Sequence, residues 1–147
     1  MIKKKIIILD DEPLISTLIK ELIEEEGQDL EISKITTEKK EFLNEVMLES
    51  FDVALVDISV GGREGGLDIL KTLKNKKIPV ASIVLSAHDE DTYAIKALRA
   101  GARGYINKYY ICTDLIPAIR DVCAGNFFVS GNRGKNILKE YASVSNK

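Results

Sequence analysis

Apolar residues fall along this chain in two alternating rhythms. Ile6-Ile7-Ile8-Leu9 is an unbroken apolar run, as expected for a strand buried on both faces. Asp10-Asp11-Glu12-Pro13 follows and predicts a loop, an N-cap and a first-turn proline. Leu14, Ile15, Leu18, Ile19, Leu22 and Ile23 then recur at helical spacing, with Gly27 placed to stop the helix. The more polar Leu30–Thr36 predicts an edge strand, and Phe42, Leu43, Val46 and Met47 mark a second helix. Phe51–Val56 reads as the central strand. A glycine-rich loop, Gly61–Gly66, leads into a helix through Leu67, Leu70 and Leu73. Pro79 opens a strand over Val80–Leu85 that ends at Ser86. Asp89 or Asp91 caps the next helix, whose apolar face is Ala94, Ala97 and Leu98 and whose end is Gly101. Gly104-Tyr105-Ile106-Asn107 is a short strand ending at Lys108. The fifth helix runs from about Thr113 to Ala124, with Pro117 near its start and Gly125 at its stop.

Strand and helix thus alternate five times. Right-handed crossovers then demand a parallel sheet with helices on both faces. The expected fold is α/β, a (βα)5 flavodoxin-like doubly wound sheet with strand order 2-1-3-4-5. Residues 1–125 form this domain, and residues 126–147 read as a linker-like extension. Within it, Asn126–Ser130 is extended, Gly131–Gly134 is turn-like, and Ile137, Leu138 and Tyr141 suggest a short extra helix. Ser143–Lys147 should be a disordered tail.

Composition narrows the classes. A chain of 147 residues with 45% hydrophobic content supports one core. Net charge is −2 and the lysines and arginines are scattered, so no broad nucleic-acid footprint is expected. Lys3-Lys4-Lys5 reads as a solvated strand start rather than a basic arm. Cys112 and Cys123 lie in one predicted helix, roughly 16 Å apart along its axis. That exceeds the reach of a disulfide, so both are expected to be free core thiols, which suits a reducing cytoplasm. No signal peptide or membrane-spanning stretch is visible.

The chemistry lies at the strand ends. In a parallel sheet Asp10 and Asp11, after the first strand, and Asp57, after the third, open on the same edge. Carboxylates that close repel and raise each other's pKa. They are either ordinary strand-end caps or the ligands of a cation, with Mg²⁺ the best match for clustered carboxylates. Ser86 after the fourth strand and Lys108 after the fifth complete a polar set that favours the second reading.

This set resembles the receiver domain of bacterial two-component response regulators, over about residues 3–125. The resemblance implies that Asp57 is the phosphoacceptor. It makes Asp11 a direct Mg²⁺ ligand, Asp10 its partner, often through water, and the backbone carbonyl of Ser59 a further ligand. Lys108 would pair with a phosphoryl oxygen and with Asp57. Ser86 would be the switch hydroxyl, beside the small Ala87, and Tyr105 the switch aromatic that packs inward once Ser86 moves. Phosphorylation would then shift the surface of the fourth helix, fifth strand and fifth helix. The runs Gly101–Lys108, Ala118-Ile119-Arg120 and Ala124-Gly125-Asn126 are similar to the NarL/LuxR type of transcription regulator. Those proteins usually continue into a four-helix DNA-binding domain, for which the residues after Gly125 are too few. A stand-alone receiver and a piece of a longer regulator both fit.

The sequence departs from the family pattern in three places. Tyr109 replaces the usual proline after the lysine, so a trans bond is expected there. The glycine-rich loop is longer by one residue and lacks a proline at Gly61, which permits left-handed turns and a movable loop. His88, near the entrance, is read as a surface residue. The implied partners are a sensor histidine kinase or phosphotransfer protein. A homodimer can form through the fourth-helix to fifth-helix surface or the C-terminal helix; direct nucleic-acid binding by this chain alone and membrane association are not expected. The resemblance implies a phosphoacceptor signalling domain that promotes its own phosphorylation and dephosphorylation, not a conventional enzyme. Two other functions compete. A receiver fold can act as a binding module without phosphorylation. An aspartyl-phosphate phosphatase would want a second aspartate at position 59, where this chain has serine.

Overall fold

The structure is a computed structural model that describes residues 2–62, 64–87, 91–130, 136–139 and 141. Strands and helices alternate as β1 (Lys4–Leu9), α1 (Pro13–Glu26), β2 (Leu30–Thr36), α2 (Lys39–Leu48), β3 (Val53–Asp57), α3 (Gly65–Asn75), β4 (Ala81–Ser86), α4 (Asp91–Ala100) and β5 (Gly104–Asn107). A 3₁₀ turn at Lys108–Tyr110 runs straight into α5 (Ile111–Cys123), and β6 (Phe128–Val129) follows. All pairings are parallel, in the order β2-β1-β3-β4-β5-β6. The expected order is present, extended by one strand.

Strand alternation explains the double winding. Successive residues point to opposite faces. Ile6, Ile8, Leu55, Ile83 and Leu85 pack beneath Ile19, Leu22, Leu115 and Ile119 of α1 and α5. Ile7, Leu9, Ala54 and Val56 pack on the other side, against Phe42 and Val46 of α2 and Ile69 and Leu73 of α3. A third cluster joins Leu70, Val84, Ala94, Ala97, Leu98 and Tyr105, and it includes Val129 of β6 and Ile137. Residues 136–139 are helical. Leu138 and Tyr141 pack with Ile137 on the chain's own third cluster.

Four details differ from expectation. Asn126–Ser130 is more than an extended piece, because Phe128 and Val129 pair with Gly104 and Tyr105 and close the β5 edge. Pro117 lies seventh in α5 rather than near its start. It is exposed there and can donate no bond to the preceding turn, at a cost of about 3 kcal/mol. Ile111, Leu115, Ile116, Ala118, Ile119 and Val122, all buried, hold the helix in place against that cost. Cys112 and Cys123 are free, as expected, but both are exposed rather than in the core. They share the outward face of α5. Met47 is also exposed, so α2 is anchored by Phe42 and Val46 instead.

The glycine-rich loop after β3 is tightly drawn. Gly61 and Gly62 adopt positive φ values of 80° and 119°, which L side chains resist. Val60 N–H donates to Asp57 O, Gly65 N–H to Gly62 O and Gly66 N–H to Ile58 O. A Cβ on Gly65 would sit 2.0 Å from Val60 O, and one on Gly66 2.7 Å from Ile58 Cα. Gly65→Ala is therefore expected to lower stability by about 1–3 kcal/mol, read as a reduced urea midpoint. An unchanged midpoint would refute the close approach of α3 to the strand end.

Candidate functional site

The register of β1 and β3 builds the site. Leu9 pairs with Val56, so the next residues, Asp10 and Asp57, emerge side by side. Oxygen atoms of Asp10, Asp11 and Asp57 lie within 4.8 Å of one another. Asp10 and Asp57 are each 1% exposed, while Asp11 faces solvent. One oxygen of each buried carboxylate is tied down. Asp10 Oδ1 accepts Glu12 N–H at 2.8 Å. Asp57 Oδ1 accepts Ser59 N–H at 2.9 Å and Ser59 Oγ–H at 2.8 Å.

The other oxygens face Lys108. Its Nζ lies 3.2 Å from Asp57 Oδ2 and 3.5 Å from Asp10 Oδ2, and it also donates to Glu12 Oε1. Asp10 Oδ2 receives charge from Lys108 but no hydrogen bond. It is the one buried side-chain polar atom among the described residues without a hydrogen-bond partner.

Burial, the largest influence, pushes the Asp10 pKa from 3.8 up to about 6. The Glu12 N–H and Lys108 oppose the shift, and the charges of Asp57 and Glu12 add to it. Burial works hardest on Lys108 too, against its charge. The hydrogen bond to Glu12 and the carboxylates of Asp57 and Asp10 together outweigh it and raise its pKa. One ammonium faces Asp10, Glu12 and Asp57, and Asp11 adds a further carboxylate beside Asp10 and Asp57, so negative charge is in excess among the described residues. An all-oxygen donor set with one orphaned buried oxygen fits a hard cation such as Mg²⁺.

The remaining expected residues line the same edge. Asp57 pairs with Leu85, so Ser86 is the next residue along β4, and it is fully buried. Tyr105, on β5, is 3% exposed and points into the third cluster. Ser59 O accepts Gly62 N–H at 3.2 Å, and a carbonyl has a second lone pair to offer. The Lys108–Tyr109 bond is trans, with no cis peptide among the described residues. His88, Asp89 and Arg63 lie outside the described residues, as do the Gly131–Gly134 turn and the Ser143–Lys147 tail.

Two contributors were not anticipated. Glu12, taken only as part of a helix start, reaches across to Lys108. Asn107, taken only as strand, is buried and its Oδ1 accepts Tyr109 N–H at 2.9 Å. The signal for Asn107 was its position, since an Asn before a turn commonly bonds the backbone two residues on.

Comparison with known proteins agrees with this geometry. Residues 6–120 match the response regulator receiver domain family. The oxygen regulatory protein NreC of Staphylococcus aureus is 29% identical over 143 residues, which are 97% of this chain. The match covers 65% of NreC, so this chain spans less than two thirds of that relative's length. The isolated REC domain of RcsB from Salmonella enterica serovar Typhimurium, in its apo form, superposes with a TM-score of 0.81 at 20% identity. It covers 93% of this chain and 99% of that one. A LuxR-family two-component response regulator from Aurantimonas sp. gives 0.81 at 21% identity, covering 99% of both chains. At such identities the two structures speak for the fold.

Asp10 makes stability depend on pH. Its folded pKa of about 6 exceeds the ordinary 3.8, so folding favours the protonated form between those values. That contribution is complete below about pH 4 and is lost as pH rises through about 6. At about 1.4 kcal/mol per unit, Asp10→Asn should stabilise the chain by about 1–3 kcal/mol at pH 8 and by little at pH 4. Urea denaturation in chelator at both pH values tests this; equal effects at the two would contradict the buried-carboxylate assignment.

Proposed function

The chain belongs to the response regulator receiver domain family, the phosphorylated signalling domain of two-component systems, and on that premise we propose that Asp57 is its phosphoacceptor. The observation that carries this reading is the convergence of Asp10, Asp57 and Lys108 at one sheet edge, with Asp10 Oδ2 left without a hydrogen bond. An Asp57 oxygen attacks the phosphorus of a phosphohistidine on a sensor kinase or phosphotransfer protein. The phosphorus–nitrogen bond breaks and the imidazole leaves with a proton from solvent. A carboxylate is a weak nucleophile, so positioning and charge neutralisation carry the reaction.

Asp10, Asp11, Asp57 and the Ser59 carbonyl are the residues to hold Mg²⁺, which when bound supplies positive charge to phosphoryl oxygens. Lys108 already stands 3.2 Å from Asp57 Oδ2 and supplies the second positive charge. Ser86, buried at the end of β4, provides a hydroxyl donor. The same groups support self-catalysed loss of the phosphoryl group. Tyr105 relays the change to the α4–β5–α5 surface, the output of a transcription regulator of the NarL type. A second copy docking on that surface is the proposed dimer; the alternative route through Ile137, Leu138 and Tyr141 is weakened because these residues pack on their own chain. Among the described residues no helix is long and apolar enough to cross a membrane, and our reading places the chain in the cytoplasm with its kinase's catalytic portion.

Intact mass after incubation with Mg²⁺ and acetyl phosphate tests the reading. One phosphoryl adduct is expected on the wild-type chain, none on Asp57→Ala, and none in chelator. Mg²⁺ binding without an adduct from either acetyl phosphate or a phosphohistidine donor would favour a binding module that works unphosphorylated.

A further inference from the structure

The C-terminal segment is seated on the strand that carries the candidate switch. Phe128 N–H donates to Arg103 O at 3.1 Å, and Ser130 N–H donates to Tyr105 O at 2.9 Å. Val129 pairs with Tyr105 in register. Ser130 Oγ also donates to Asp114 Oδ2 at 2.7 Å, so the segment bridges β5 and α5. The Arg103 guanidinium lies 5.1 Å from the Phe127 ring centre, and the Phe127 and Tyr141 rings are 5.7 Å apart. Val129 and Ile137 are buried in the cluster that holds Tyr105 and Tyr93.

The inward position of Tyr105 is therefore one in which the ring and the C-terminal segment bury each other. Removing the segment would uncover apolar surface around the ring and strip the Tyr105 carbonyl of its Ser130 donor. The first loss bears on the ring itself, and the second loosens the segment that covers it. We infer that the segment beginning at β6 is a clamp that stabilises inward Tyr105, so that docking of the segment and phosphorylation of Asp57 promote each other. The inference rests on the Asp57–Ser86–Tyr105 reading given above, in which the phosphoryl group favours the same inward ring. Two events that prefer one state of a shared element are coupled, and the coupling is reciprocal. A segment that instead opposed the phosphorylated state would give the opposite sign in both directions.

The full chain tests this with Mg²⁺ and beryllofluoride as the phosphoryl mimic. Amide hydrogen exchange at Phe128 and Ser130 is expected to slow by about fivefold or more on loading, the lower range of typical allosteric couplings. By reciprocity Ser130→Ala and Val129→Ala should each weaken beryllofluoride binding, while Thr17→Ala on the far side of α1 should not. Ser130→Ala removes one side-chain hydrogen bond and leaves the core intact, so it reports even if Val129→Ala folds poorly. Unchanged or faster exchange in a chain that loads, or tighter binding by Ser130→Ala, would overturn the clamp. A chain that takes up no beryllofluoride removes the phosphoacceptor reading, and the clamp with it.

Discussion

The parallel register between β1 and β3 is the constraint on which the rest of the molecule depends. Leu9 opposite Val56 ends two apolar runs at the same level. Asp10 and Asp57 then have no choice but to share one crevice. A slip of one residue would send every side chain of a strand to the other face. Ile7 and Leu9 would then face the layer now filled by α1 and α5. Both layers are apolar, so hydrophobicity alone would not forbid the slip. Shape does: the packed sets on the two faces differ, and close-packed interiors tolerate little change in volume. The core therefore specifies where the carboxylates stand, although it makes no contact with their chemistry.

That placement works against the stability of the chain. A buried ion pair recovers its desolvation only when its geometry is excellent and its remaining lone pairs are filled. Here Asp10 Oδ2 is left without a hydrogen bond, and one lysine must answer several carboxylates. The raised pKa of Asp10 expresses the same imbalance from the side of the proton. A site tuned for stability would lose one of these acids. Its surplus negative charge makes sense as a place held open for positive charge.

Much of the candidate site was readable in the chain because its residues lie at or just past the ends of apolar runs. Asp10 follows β1, Asp57 and Ser86 are the last residues of β3 and β4, and Lys108 follows Asn107 at the end of β5. Residues without such a boundary were harder to place. β6 is two residues long, below the length at which alternation has meaning, and its pairing depends on a long-range edge. Cys112 and Cys123 were expected to be free thiols of one helix, and they are, but spacing does not say whether the face they share is inward. Pro117 was judged by local propensity, and the buried face of α5 overrode it. Glu12 belongs to a local helix start, yet its partner is 96 residues away along the chain, a relation no local pattern encodes.

The turn after β5 shows how one substitution is absorbed by its neighbours. With Tyr109 in place of a proline, the backbone N–H is restored, and Asn107 Oδ1 accepts it. A proline there would have no hydrogen to give, so the Asn cap and the non-proline residue form a matched pair. The cap starts the 3₁₀ turn that carries Lys108, and Glu12 and Asp57 then hold its Nζ from two sides. Aim is thus set at both ends of the lysine, by a backbone cap at its root and by carboxylates at its tip. The same short strand carries Tyr105, bonded through its carbonyl to Ser130. Only Ile106 and Asn107, both buried, separate that carbonyl from the lysine. Ile106 and Asn107 pair with Leu85 and Ser86 of β4, so the seat of the C-terminal segment and the root of the lysine belong to one four-residue strand.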